Sequence, residues 1–295
     1  MKLELMTLIG EAWQLVAGKR HLMSWNLFLA LIPLAMSLWL FHRPRARFLQ
    51  WGTVFLLGLT FLPNIRRVWA YGTHLVRDLG IAYIGGVLSI TLVLMVVDIW
   101  ILHGRRERSL RWWMGFLVFI TFLPNAPYVL TDVIHLIWSI RWVDSIWIIT
   151  LVLIPLYLLF MLVGFEAYVL SLINLGYYLQ RQGWKKFIWA TELIIHALCA
   201  IGIYLGRFIR LNSWDIITNP DGLVMSVMTD LIGKRPVLVM AVTFVIISSL
   251  YWLMKQVSLG IVQRYYAIAP GTESLSKVPT PDGSVSHSDS STAQF

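Results

Sequence analysis

The sequence predicts an all-α fold: a polytopic transmembrane helix bundle of about seven spans, built partly from a tandem parallel two-span repeat. Three observations predict it. Of 295 residues, 58% are hydrophobic and 13% charged, about half the roughly 25% charge of a soluble domain. Mean hydropathy is +0.71. The charges gather in short clusters between long apolar runs. A soluble chain of this length needs a polar surface that this composition lacks, so its solvent is lipid.

Residues 3–17 (LELMTLIGEAWQLVA) carry an apolar stripe broken by Glu4, Glu11 and Gln14, so 1–23 reads as an interfacial helix. A transmembrane domain follows over 24–265, with spans over 24–41, 48–63, 82–102, 110–124, 146–172, 188–206 and 236–254. Lys19, Arg20 and His21 precede the first run as a signal peptide's basic residues would. It is followed, however, by Arg43, Arg45 and Arg47 and not by small residues, so it reads as a retained span. The tail over 266–295 is rich in Ser, Pro, Thr and Gly and is expected to be disordered.

The net charge of +9 comes mainly from Lys and Arg beside apolar runs, where anionic lipid attracts them. No nucleic-acid motif accompanies it, so nucleic acid is not an expected partner; the lipid bilayer is. Cys199 is the single cysteine, which excludes an internal disulfide and a thiolate metal site. Gly-rich phosphate loops, nucleophile elbows and His-Glu-x-x-His motifs are absent. No metal or cofactor is expected, and active transport would need an ion gradient or another subunit. The 15 tryptophans need no cofactor either. Trp51, Trp69, Trp112, Trp113, Trp138, Trp142, Trp147, Trp184 and Trp189 fall near span ends, as interfacial belts require.

The chain duplicates itself at an offset of 61 residues: RFLQWGTVFLLGLTFLPNIRRV (47–68) aligns without a gap with RSLRWWMGFLVFITFLPNAPYV (108–129). His74-Leu75 falls on His135-Leu136, and Trp39, His42 and Arg45 fall on Trp100, His103 and Arg106. The copies, about 24–75 and 85–136, each hold two spans, so both share one orientation. Pro127, Tyr128, Thr131 and Asp132 of the second copy stand where the first has Arg66, Arg67, Ala70 and Tyr71. A polar site is therefore expected in the second. Dense basic clusters in the short loops, HRPRAR and HGRRERSLR, place the C-terminus in the cytoplasm and the N-terminus outside.

With alternating spans, Trp25-Asn26, both Leu-Pro-Asn segments, Thr131-Asp132-His135 and YLGRFIRLNSWD (204–215) fall at one membrane face. Three blocks, WNLFLALIPLAMS (25–37), FLPNAPYVLTDVIHL (122–136) and GIYLGRFIRLNSWDIITNP (202–220), make the chain resemble a bacterial membrane-protein family catalogued as domain of unknown function 1361. The resemblance implies the bacterial cytoplasmic membrane and no particular activity. The hairpin at about 42–103 is additional to the family pattern.

The candidate site residues each have a structural reading beside the functional one. Asn125 and Asn64 can cap helices, and capping is the simpler account of both. Asp132 and His135, three apart, share a helical face and suit an interfacial hydrogen-bonded pair better than a metal. Arg207 and Arg210, with Tyr128, Asn212 and Asp215 at the same face, have the chemistry of an oxyanion clamp; pairing with Asp132 or Asp215 is the alternative. Glu192 and His196, four apart within an apolar run, are proton-relay candidates or a neutral pair joining helices. Asp98 and Glu166 lie near span ends. Three functional classes follow: a transporter binding an anionic small molecule or lipid headgroup, an enzyme with Asp132 or His135 as base acting on a lipid-linked or anionic substrate, and a scaffold docking a membrane-protein partner.

Overall fold

The structure, a computed structural model, describes residues 2–41, 47–78, 89, 91–96, 109–209 and 234–268. Among them helices account for nearly every residue and there is no strand. They run as α1 (Lys2–Leu40), α2 (Arg47–Phe61), α3 (Ile65–Asp78), α4 (Leu110–Phe122), α5 (Val133–Arg141), α6 (Ile154–Arg181), α7 (Ile188–Tyr204) and α8 (Lys234–Ile268). Short helical pieces join them, including π turns at Ile149–Leu153 and Leu205–Ile209. Five stretches among the described residues are long and apolar enough to cross a membrane: His21–Leu40, Leu110–Arg141, Ile146–Arg181, Lys185–Arg207 and Pro236–Arg264. The chain is a multi-pass integral membrane protein. Of the other two expected spans, 48–63 coincides with the 15-residue α2. The span over 82–102 lies largely outside the described residues, as does nearly all of the 266–295 tail.

Compact units cover Met1–Lys255 and Gln256–Phe295. The described part of the second continues α8 to Ile268; all that follows concerns the first.

The central element is α1, which packs on α6, α2 and α4. Its Leu27, Leu31, Leu34 and Leu38 recur at helical spacing and meet Ala167 and Leu170 of α6 and Leu49, Leu56 and Leu57 of α2. Residues 2–40 form one continuous helix, so no break separates the amphipathic N-terminal stretch from the first span. Buried polar groups tie the helices where lipid offers no partner. Asn174 Nδ2 of α6 donates to Ser37 Oγ of α1 at 3.0 Å. Ser37 in turn bonds its own helix at Leu34 O. Asn174→Ala is expected to cost about 0.6–1.7 kcal/mol, read as a modest fall in melting temperature in detergent.

At the far end of α1, the Trp112 indole of α4 donates to Leu40 O at 3.2 Å and Arg181 of α6 to Phe41 O. Phe41 packs on Phe119 and Tyr178 there. At the near end, Asn26 and Ser24 of α1 meet Asp132 and Asn64. The helices therefore alternate in direction: α1 and α6 run one way, α2 and α4 the other. Trp51, Trp69, Trp138, Trp142, Trp147 and Trp189 are exposed, whereas Trp113 is buried against Trp112 and Phe116. Trp113 thus serves packing and not an interfacial belt.

Candidate functional site

The polar cluster forms where the second Leu-Pro-Asn segment interrupts a helix. After α4 the chain turns at Leu123-Pro124, takes a short helical turn over Asn125–Tyr128, tightens to a 3₁₀ turn over Val129–Asp132 and resumes as α5. Proline removes a backbone donor and a regular turn with it, yet the helix does not stop at 124 as the sequence suggests; it bends and runs to Arg141. Gly202 of α7 and Gly164 of α6 accept this irregular segment closely. A Cβ at Gly202 would lie 2.9 Å from Pro124, and one at Gly164 2.7 Å from Val129.

Asp132 is the hub and is fully buried. Its Oδ2 accepts from Asn26 Nδ2 of α1 at 2.7 Å. Its Oδ1 accepts no hydrogen bond and lies 3.7 Å from Arg207 Nη1 and 3.8 Å from His135 Nε2. Both distances exceed a hydrogen bond, so Asp132 and His135 do not form the bonded pair expected from their spacing. Tyr157 of α6, also fully buried, is an electrostatic neighbour of Asp132.

Arg207 sits in the π turn that ends α7, a departure common at functional positions. Its guanidinium donates to Thr131 O at 3.0 Å and Tyr128 OH at 3.3 Å, and lies 5.7 Å from the centre of the Tyr128 ring. Three helical segments distant in sequence thus meet at one carboxylate. Arg207 is 16% exposed at its side chain and His135 35%, and Lys19 of α1 is close enough to act electrostatically on His135. One cation and one histidine therefore flank a single carboxylate, and Lys19 stands on the His135 side of the cluster.

The asparagines do not cap. Asn125 Nδ2 donates back to Phe122 O at 3.1 Å, and Asn64 Nδ2 to Thr60 O at 2.9 Å and Ser24 Oγ at 3.0 Å. In each case the amide donates to a carbonyl of the preceding turn. Arg210, Asn212 and Asp215 lie outside the described residues.

Glu192 and His196 belong to a second cluster on α7, and each has its own partners. Glu192 Oε1 accepts from Tyr251 OH at 2.7 Å and Lys255 Nζ at 2.6 Å, both of α8. His196 Nδ1 lies 2.6 Å from Tyr168 OH of α6, and its ring 4.7 Å from that of Tyr251. Glu166 is half-buried on α6, and Asp98 lies outside the described residues. Sequence reasoning passed over Tyr168, Tyr251 and Lys255. Tyr251 and Lys255, four apart at the end of an apolar run, were the available signal. Among the described residues no group of three His, Cys, Asp or Glu gathers to hold a metal.

No curated protein and no solved structure matches the chain. Residues 78–249 match the family described as Protein of unknown function (DUF1361). The match takes in 122–136 and 202–220, with Asp132 and Arg207, and leaves 25–37, with Asn26, upstream. Because it covers more than half of the 295 residues, the chain belongs to the DUF1361 family.

Proposed function

We propose that this protein is a transporter that binds an anionic small molecule or lipid headgroup at the Asn26–Tyr128–Asp132–His135–Arg207 cluster. The observation that carries the reading is the partly exposed Arg207 guanidinium held beside one buried carboxylate, with His135 on that same carboxylate and Lys19 near His135. Thr131, Tyr128 and Asp132 hold Arg207 in place, and its guanidinium remains partly open to a ligand. Arginine's planar fork suits a phosphate or carboxylate there, and lysine does not reproduce it. Asn125, Arg210, Asn212 and Asp215 are proposed to complete the site. A membrane enzyme using Asp132 or His135 as base on a lipid-linked or anionic substrate, and a scaffold docking another membrane protein, remain the alternatives; neither has an observation of its own.

The transport reading is joined to seven spans, a tandem parallel repeat, the bacterial cytoplasmic membrane and a cytoplasmic C-terminus. The helix interruptions at Leu62–Asn64 and Leu123–Asn125 support the repeat, since both copies bend at Leu-Pro-Asn.

The test is thermal stability of the full chain in nanodiscs with and without inorganic phosphate, small carboxylates and anionic phospholipids. Ligand is expected to raise the melting temperature of the wild type, with the increment lost in Arg207→Lys although the variant folds. Stabilisation only by phospholipid identifies a headgroup, and only by soluble anions a small molecule. A wild type that no anion stabilises rejects the reading.

A further inference from the structure

We infer that α1, α2 and α3 hold one anionic phospholipid, with an acyl chain in a groove between α1 and α2 and the headgroup at Arg66 and Arg67. The inference is independent of anion binding at Arg207.

The groove runs beside the stretch His21–Leu40 and so lies at membrane depth. Phe28, Ile32 and Met36 of α1 stand at four-residue intervals along one wall, and Leu57, Gly58 and Phe61 of α2 form the other. Its volume is about 330 Å³, whereas roughly 150 Å³ is enough for benzene. An open apolar groove forfeits dispersion contacts, and in a bilayer the filling at hand is hydrocarbon. An acyl chain therefore has the right chemistry.

One residue keeps the groove open. In the gap-free alignment of 47–68 with 108–129, Gly58 falls on Phe119. Phe119 is fully buried and packs edge-on against Phe41. Where the second segment presents a ring, the first presents a hydrogen, and a Cβ at Gly58 would meet nothing within 4 Å. The same alignment puts Arg66 and Arg67 on Pro127 and Tyr128. The first segment thus lacks a ring and gains two cations. An acyl chain uses the one difference and an anionic headgroup the other.

The two arginines stand at the matching end. The Phe28 and Phe61 rings, 5.9 Å apart, mark the end of the groove next to the Asn64–Ser24 bond. Arg66 and Arg67 follow Phe61 within two helical turns, and both are exposed, as is Trp69. Arginine and tryptophan on one short helix suit a lipid interface. No Asp or Glu occurs between Glu11 and Asp78, and the buried Asp132 faces Asn26 and Arg207. The positive charge is therefore uncompensated along this stretch of chain, and the arginine fork fits a phosphate.

The test is native mass spectrometry of the full chain released from detergent micelles, titrated with phosphatidylglycerol or phosphatidylcholine of identical acyl chains. The wild type is expected to retain one phosphatidylglycerol about tenfold more strongly than phosphatidylcholine. Gly58→Phe, whose ring enters open space, is expected to weaken retention of both lipids about tenfold with the melting temperature kept. Arg66→Gln combined with Arg67→Gln is expected to abolish the preference and leave phosphatidylcholine unchanged. Arg207→Lys is expected to alter neither lipid, which separates this site from the one at Asp132. Equal retention of the two lipids by the wild type overturns the inference, as does retention that Gly58→Phe leaves intact. A preference lost in Arg207→Lys but kept in the double arginine variant does the same. A wild-type dimer that Gly58→Phe dissociates assigns the groove to a second copy of the chain and also overturns it. The exposed arginine pair decides the matter if Gly58→Phe does not fold.

Discussion

Asp132→Ala is expected to destabilise the protein by about 3–5 kcal/mol, enough to lower its melting temperature sharply in detergent or to prevent its recovery. The carboxylate is fully buried and stands between Asn26 of α1 and Arg207 at the end of α7. Removing it leaves a guanidinium without its counter-charge and an amide without its acceptor, and the desolvation cost of both remains. Asp132→Asn should cost much less, because an amide oxygen still accepts from Asn26, while the charge that offsets Arg207 disappears. The pair of variants therefore separates architecture from charge. If Asp132→Ala melts like the wild type, the carboxylate is not the hub described above. Combining Asp132→Ala with Arg207→Met should recover part of the loss, since the stranded cation is then gone.

Gly164→Leu is expected to have the second largest effect. Helices approach closely in membranes where small residues let backbones meet, and α6 does this against Val129 with no room for even one carbon: a Cβ at Gly164 would lie 2.7 Å and 3.0 Å from the two Val129 methyls. A leucine there must push the 3₁₀ turn away from α6. Overpacking of this kind costs about 1–3 kcal/mol in a core, occasionally more. Val129 lies in the same turn as Thr131 and Asp132, so the displacement reaches the groups that hold Arg207. Gly164→Ala should be milder and should be relieved by Val129→Ala in the double variant. Without that relief, the close approach does not limit packing at this point.

The membrane character was legible from composition alone, because a chain with 13% charge cannot cover itself with polar surface. The grouping of Asn26, Asp132 and Arg207 at one end of the bundle was legible too, since helices that cross a bilayer and return must alternate. Local departures from the regular helix were not. The turn at Leu123-Pro124, the 3₁₀ turn ending at Asp132 and the π turn at Arg207 each depart from a 3.6-residue period. A hydrogen-bonded Asp132–His135 pair was expected where the structure has a 3.8 Å separation, and a helix cap was expected at Asn125 where the amide donates backward. Pairing across distant helices was also beyond reach. Tyr251 and Lys255, four apart, mark a polar edge on α8, but their spacing does not say that Glu192 is what they meet. By itself, then, the sequence determined that the chain lies in lipid, that several of its runs are membrane-spanning helices, and which polar residues stand at the same end. Only the tertiary structure decided which of those residues touch. Hydropathy and span direction are summed along the chain and tolerate local error, whereas a hydrogen bond depends on a few tenths of an ångström between helices that the chain order does not specify.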